Sequence, residues 1–334
     1  MWAAKAIVRP VHWVLARPWA FSSAAPDLSE LLSYGKVKHR LHLKIAGLQI
    51  STSSEFPIKP NAIHEPYRPF LGDATDSPDI RIELTTEAFP GLGNLSPLFD
   101  SDESWSLYRK EDEYQLLFNP QASKRKPFWQ ATFDSKCSDV TVYCNPSVFM
   151  ENGAFIANPI QYPLDQLLLM YHLASRGGVL IHAAGIEIRG KGYIFPGISG
   201  AGKSTLIRQF LGAQRGFRLL SDDRIFLRRI GNDFKMFGTP WPGEAGIALN
   251  ESAPLSGVFF LQHGEKNDAH RLEPMDVLAK LIPVLSVPWF DEDVMPRILH
   301  LCEGLIESVP AYQFQFKPAR DVVQFLETFA LNGH

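Results

Sequence analysis

Gly197-Ile198-Ser199-Gly200-Ala201-Gly202-Lys203-Ser204 is a glycine, four residues, then glycine-lysine-serine, and this stretch decides how the chain is read. An apolar run at 192–195 leads into it and 205–211 continue at helical spacing, so the loop joins a strand to a helix. Gly197, Gly200 and Gly202 lack the Cβ that bars tight-turn conformations. Successive N–H groups, those of Ile198, Ser199, Ala201 and Thr205 among them, can then face phosphate oxygens. The helix start adds about half a unit of positive charge at the same place. In a loop of this kind Lys203 reaches the β and γ phosphates and the Ser204 hydroxyl enters a magnesium shell. The implied ligand is a nucleoside triphosphate, expected to be ATP, with Mg2+.

Downstream, a short apolar strand at 217–220 ends in Ser221-Asp222-Asp223, where a carboxylate faces bound phosphates and metal. Magnesium keeps most of its waters and needs one carboxylate, directly or through water. A second is then free to take a proton from an attacking hydroxyl. The alternative is that both aspartates cap a solvated turn. Upstream, His182 lies in Val179-Leu180-Ile181-His182-Ala183-Ala184, apolar on both sides, and on its own reads as a satisfied core histidine. The stretch Phe237-Gly238-Thr239-Pro240-Trp241-Pro242-Gly243-Glu244 is irregular by composition. Its terminal carboxylate suits a second metal or substrate contact, and a buried structural turn fits the local sequence nearly as well.

The hairpin before the loop is expected at 179–188 and 192–195, joined by Arg189-Gly190-Lys191. An apolar helical stretch at 164–175 precedes it and stops at Gly177-Gly178. Further strands are expected at 224–229, 234–237 and 257–262, and helices at 275–282 and 319–331. Before residue 160 the pattern is short alternating runs at 39–50, 80–84, 105–109, 114–119, 128–133 and 140–145, divided by turn residues. The expected organisation is an extension at 1–37, a β-rich accessory domain at 38–160 and a nucleotide domain at 161–334.

The 334 residues are 45% apolar and 21% charged with a net charge of −3, the composition of a folded soluble protein without the basic stripe of a nucleic-acid binder. Three cysteines, Cys137, Cys144 and Cys302, have neither zinc nor disulfide spacing and read as reduced thiols. No run approaches the ~20 apolar residues that span a bilayer. A cytoplasmic protein without membrane or nucleic-acid partners is expected. Residues 1–25 have Lys5, Arg9 and Arg17 and no acid, as in an organellar transit peptide, but Pro10 and Pro18 interrupt an amphipathic helix.

Taken in order, these pieces resemble the C-terminal catalytic domain of HPr kinase/phosphorylase. In that family a hairpin bearing His-Ala-Ser precedes a Gly-x-Ser-Gly-x-Gly-Lys-Ser loop and a strand ending in Asp-Asp. Here they are His182-Ala183-Ala184, Gly197 to Ser204 and Asp222-Asp223, spanning about 178–246, and the tryptophan loop is similar to HPr-kinase-related proteins, some from peptide-modification gene clusters. The resemblance implies a phosphoenolpyruvate-carboxykinase-like P-loop domain, an α/β (α+β) fold with a mixed sheet, and ring-like homo-oligomers. It makes Asp222 the base, His182 the neighbour that tunes the catalytic aspartate, and Asp223 and Glu244 magnesium residues. Ala184 and Thr205 depart from the pattern, and the family's catalytic arginine has no counterpart that can be placed.

The expected activity is a serine kinase acting on a protein or peptide. Two other classes compete: a small-molecule phosphotransferase using Arg224, Arg271 and Arg297, and a non-enzymatic ATP-binding module.

Overall fold

The computed structural model describes residues 38–59, 64–101, 104–119, 127–161, 163–213 and 216–332. The expectations for 1–37, the transit-peptide-like composition included, lie outside the described residues. The first half forms β1 (His39–Ile45), β2 (Leu48–Ser54), β3 (Ile80–Thr85), β4 (Pro97–Asp100), β5 (Trp105–Lys110), β6 (Glu113–Phe118), β7 (Trp129–Asp134) and β8 (Asp139–Cys144). They make one sheet in the order β1-β2-β3-β8-β7-β6-β5-β4, in which β2–β3 and β3–β8 are parallel and the remaining pairs antiparallel. Alternation explains it: in β3 Ile80, Ile82 and Leu84 face the core while Arg81 and Glu83 face out. The run at 39–50, expected as one strand, is broken because Ala46 and Gly47 both take positive φ (53° and 76°), the two-residue hairpin turn that matches strand twist.

A short helix α1 (Pro146–Phe149) and a small hairpin, β9 (Met150–Glu151) with β10 (Phe155–Ile156), lead to α2 (Leu164–Ala174). Every residue of α2 is buried, because it lies between the strand that follows it and the Tyr114 and Phe133 rings of the first sheet, which meet its Tyr171.

The second half contributes β11 (Gly178–Ile188), β12 (Lys191–Pro196), α3 (Lys203–Leu211), β13 (Phe217–Ser221), β14 (Arg224–Ile230), β15 (Asp233–Phe237), β16 (Ser252–His263) and β17 (Asp268–Arg271). After these come α4 (Pro274–Leu281), β18 (Leu285–Ser286), α5 (Met295–Ser308), β19 (Ala311–Phe316) and α6 (Asp321–Asn332). The sheet order is β12-β11-β14-β15-β16-β19-β17, with β13 and β18 also on β11, and it is mixed: β12–β16 and β16–β19 are parallel. The path closes on itself because β16 bonds β15 over 252–254 and β12 over 255–258. The fold is a mixed α/β arrangement of sheets and helices. The sequence reading left 283–318 unassigned, yet α5 buries Ile298, Leu301, Cys302 and Leu305 at helical spacing and β19 pairs with β16.

Both faces of this second sheet are buried, which is why β11 reads as an almost unbroken apolar run. On one face Ala184, Ile186, Ile188 and Phe195 pack against Leu206, Ile207 and Phe210 of α3 and Val322 and Leu326 of α6. Nearer the start of the strand, Val179, Leu180 and Ile181 belong to a second cluster that runs through α2 and α5 into Ile50, Ile82 and Leu116 of the first sheet. The three cysteines are buried and unpaired. No helix among the described residues is long and apolar enough to cross a membrane.

Asp165 in the first turn of α2 is only 2% exposed and accepts hydrogen bonds from Tyr67, Trp241 and its neighbour's backbone N–H. Burial outweighs those donors and lifts its carboxyl to about 6 from an ordinary 3.8. The folded chain therefore holds a proton that the unfolded chain releases between those values. That contribution to stability is complete below about pH 4 and is lost as pH rises through about 6, amounting to roughly 3 kcal/mol. Denaturant unfolding of Asp165→Asn across pH 4–7 is expected to lack that slope.

Candidate functional site

Partners change along β11 at one peptide bond. One edge of the strand is followed by β13 and then β14, and the chain between those two is Asp222-Asp223. The other edge is followed by β12, which leaves at Pro196 to form the 197–202 loop, and then by β18. Both departures occur beside His182. Its carbonyl accepts from Gly197 N at 3.1 Å, and the N–H of Ala183, on the far side of the same peptide, donates to Asp223 O at 2.9 Å. Crevices where strands part are where α/β sheets place ligands, and here the loop and the aspartate pair are bonded to the two edges of a single strand.

The loop has the geometry its glycines permit. Gly200 and Gly202 take φ of 88° and 102°, and a Cβ on Gly197 would stand 2.5 Å from that of Ala201. Lys203 opens α3 directly after Gly202, with no side chain capping the helix start, so first-turn N–H groups are left to face the loop's concavity. Lys203 itself is buried, and its Nζ donates to Gly197 O at 2.7 Å and Ile198 O at 3.4 Å. Burial pulls its ammonium below the usual lysine range, a shift opposed by the negative charge of Asp223 and reinforced by Arg224. Ser204 and Thr205 follow on the first turn, half-buried, and the tip residue Ile198 is exposed.

The two aspartates are treated differently. Asp222 is 4% exposed, and its carboxylate accepts from Gly243 N at 2.8 Å, Ala245 N at 2.7 Å and Ile247 N at 3.2 Å. Both oxygens are engaged in charge-assisted bonds, roughly twice as strong as neutral ones, so this side chain is the anchor of the tryptophan loop. That departs from the expectation that Asp222 takes the proton. Asp223, with its side chain 28% exposed, receives His182 Nε2 at 2.7 Å on Oδ1, and the Arg224 guanidinium approaches Oδ2 at 3.5 Å. An ionised carboxylate only accepts, so the histidine carries its proton on Nε2 in this pair. Burial alone would raise the Asp223 carboxyl; the His182 bond and the charges of His182, Arg224 and Lys203 win and hold it below the ordinary carboxylate range.

Glu244 sits exposed at the loop's apex between two residues whose N–H groups are bound to Asp222. Gly243 passes so close that a Cβ there would lie 2.9 Å from Asp222 Oδ2 and 3.0 Å from Asp223 Cβ, which places the apex beside both aspartates. The loop entrance is equally tight, since a Cβ on Gly238 would fall 2.0 Å from Leu249 O. Thr239 Oγ1 donates to Arg224 O at 2.8 Å. Two members of the site had no role in the sequence reading of the kinase: Arg224 and Ser286, whose Oγ accepts from Arg224 Nη1 at 3.1 Å. Adjacency to Asp-Asp is the signal for Arg224; Ser286 arrives through the pairing of β18 with β11, which no local pattern shows. Arg271 lies on β17 and Arg297 on α5, and neither bonds to these groups among the described residues.

Do these residues suit a magnesium nucleotide? Backbone amides at a helix start, one ammonium and a hydroxyl are the donor set a triphosphate takes. Among the described residues no three His, Cys, Asp or Glu side chains gather closely enough to hold a metal alone. Magnesium fits that limit, because it is held by one or two carboxylates with phosphate oxygens and water.

No family model matches the chain, and no curated protein matches it. Among solved structures, one described as the Hpr(Ser) kinase/phosphatase from Coxiella burnetii is similar over 46% of this chain and 88% of its own, with a TM-score of 0.26 and 15% identity. A likeness of that strength has no bearing on activity, and the functional reading rests on the residues.

The His182–Asp223 pair makes a measurable prediction. Without the imidazole, the bond and the charge that lower Asp223 are gone while the burial that raises it stays. In His182→Ala the Asp223 carboxyl, followed by 13C NMR titration, is expected to titrate at higher pH than in the parent protein.

Proposed function

We propose that this chain is a Mg2+- and ATP-dependent kinase that transfers the γ-phosphoryl group to a serine hydroxyl of a protein or peptide, on a phosphoenolpyruvate-carboxykinase-like nucleotide domain. The single observation that carries the reading is the placement of Asp223: ionised, bonded to His182 and within the field of Lys203 at the mouth of the 197–204 loop. Asp223 takes the base role in place of Asp222, whose oxygens are occupied by the loop amides. In the transfer, the serine oxygen attacks phosphorus while its proton passes to Asp223 Oδ2, and the bond to the β-phosphate oxygen breaks. His182 fixes the carboxylate from the other side. Lys203 leaves its loop carbonyls for the β and γ phosphates, and Arg224 adds a second cation beside the transferring group. Ser204 and Glu244 are the residues left to hold Mg2+, which when bound would offset the negative charge of the triphosphate.

A hydroxyl on a chain is favoured over a small polyanionic acid because only Arg224, of the three arginines considered, joins the cluster. The assay is transfer from γ-labelled ATP to candidate serine peptides and neighbouring gene products. Asp223→Asn is expected to lower transfer by roughly a hundred- to ten-thousand-fold while ATP still binds by calorimetry. Lys203→Ala should weaken both. Asp222→Asn should act through stability, costing about 1–3 kcal/mol as the loop amides lose an acceptor. Undiminished transfer by Asp223→Asn would move the base elsewhere, and absence of any nucleotide binding would end the reading.

A further inference from the structure

The loop that carries Glu244 is gripped from two directions, and the second of them reaches into the first half of the chain. Asp222 holds its apex through the N–H groups of Gly243, Ala245 and Ile247. The other grip is shared by Asp165 of α2 and the 3-10 helical segment Glu65–Phe70 next to the first sheet. Trp241 Nε1 donates to Tyr67 OH at 2.9 Å and to Asp165 Oδ2 at 3.1 Å, and Tyr67 OH in turn donates to the same Asp165 oxygen. All three groups are buried. From the same turn, Pro69 O accepts Asn250 Nδ2 at 3.1 Å, just past the loop's end. The turn is itself fixed: Phe70 is fully buried, and Leu71 bridges to Leu43 of β1.

Trp241 stands three residues from Glu244 with its ring edge-on to Phe226, at 5.5 Å between centroids. Its hydrogen bonds therefore fix the chain just ahead of the apex, and Asp222 holds the apex itself on both sides of Glu244. A buried network of this kind has two settings, made or broken, because each polar group left unpaired in the interior costs more than a bond gains.

We propose that Tyr67 and Asp165 are positioning residues for Glu244, so that the β-rich first half of the chain, through Trp241, fixes the reach of the loop carboxylate toward the magnesium nucleotide. This rests on the reading that the 197–204 loop binds that nucleotide. It gives the first half a part in the chemistry without a residue of its own at the phosphates.

The test uses the full-length protein and two variants that each delete one hydrogen-bonding group and keep a ring, Tyr67→Phe and Trp241→Phe. Hydrogen exchange of the 238–249 segment, measured without nucleotide, is expected to speed up about tenfold in either variant. Calorimetry with ATP should show affinity reduced about tenfold in Mg2+ and unchanged in EDTA, a split that general loosening of the fold does not produce. Because the effect runs through Glu244, it should vanish when Tyr67→Phe is made in a Glu244→Gln background. Equal Mg-ATP affinity in parent and Tyr67→Phe proteins, or additive losses with Glu244→Gln, would overturn the inference and leave the kinase reading intact. If Tyr67→Phe does not fold, the same outcomes are read from Trp241→Phe. A parent protein that binds no ATP under either condition removes both readings.

Discussion

The peptide joining His182 to Ala183 bonds to Gly197 through its oxygen and to Asp223 through its nitrogen, and the rest of the site is arranged around that fact. A peptide plane is rigid and its two polar groups point in opposite directions. Loop and aspartate are thereby held at a fixed separation across one strand. The strand in turn is buried on both faces, so it cannot shift without disturbing the packing of α3 and α6 on one side and of α2 and α5 on the other. The placement of the 197–202 loop is thus derived from the interior of the sheet, although the loop tip itself is exposed.

Burial also sorts the carboxylates. Asp165, Asp222 and Asp291 are exposed by 2%, 4% and 1%, and each is surrounded by donors. Asp291 accepts from Tyr114 OH at 2.7 Å and Tyr171 OH at 3.1 Å, tying β6, α2 and the segment after β18 together. A buried carboxylate with its lone pairs filled is costly to disturb and poor at accepting anything further. Asp223 is the contrasting case: partly exposed, it has one oxygen bound by a histidine and the other only approached by a guanidinium. Two adjacent identical side chains acquire opposite characters because, in the bend between β13 and β14, one is enclosed by the amides of the tryptophan loop and the other is left beside His182.

That contrast marks how far the sequence could be read. The 197–204 loop was legible because its glycines are demanded by backbone conformation, as was the hairpin before it, whose Arg189-Gly190 turn takes positive φ at both residues. The helix at 164–175 was legible for its length and its lack of proline, and it appears as α2. The division of labour between Asp222 and Asp223 was not legible, since it depends on amides more than twenty residues downstream. Nor was the meeting of Tyr67 with Trp241, separated by 174 positions. Between 283 and 318 five prolines, Pro283, Pro288, Pro296, Pro310 and Pro318, masked signals that were present. The spacing of Ile298, Leu301, Cys302 and Leu305 is helical, and the strand after it lies deep in the sheet.

A helix enclosed on every side, as α2 is, leaves nothing about which the two sheets could pivot. Opening a cleft between them would bring Leu164, Leu168, Tyr171 and Leu173 into water at once, a cost of about 1.5–3 kcal/mol for each large side chain. Among the described residues the two sheets thus form no jaw that could open and close. Access to the crevice beside His182 is instead bounded by the exposed tip of the 197–202 loop and by the Glu244 apex, both mounted on a frame that is packed throughout.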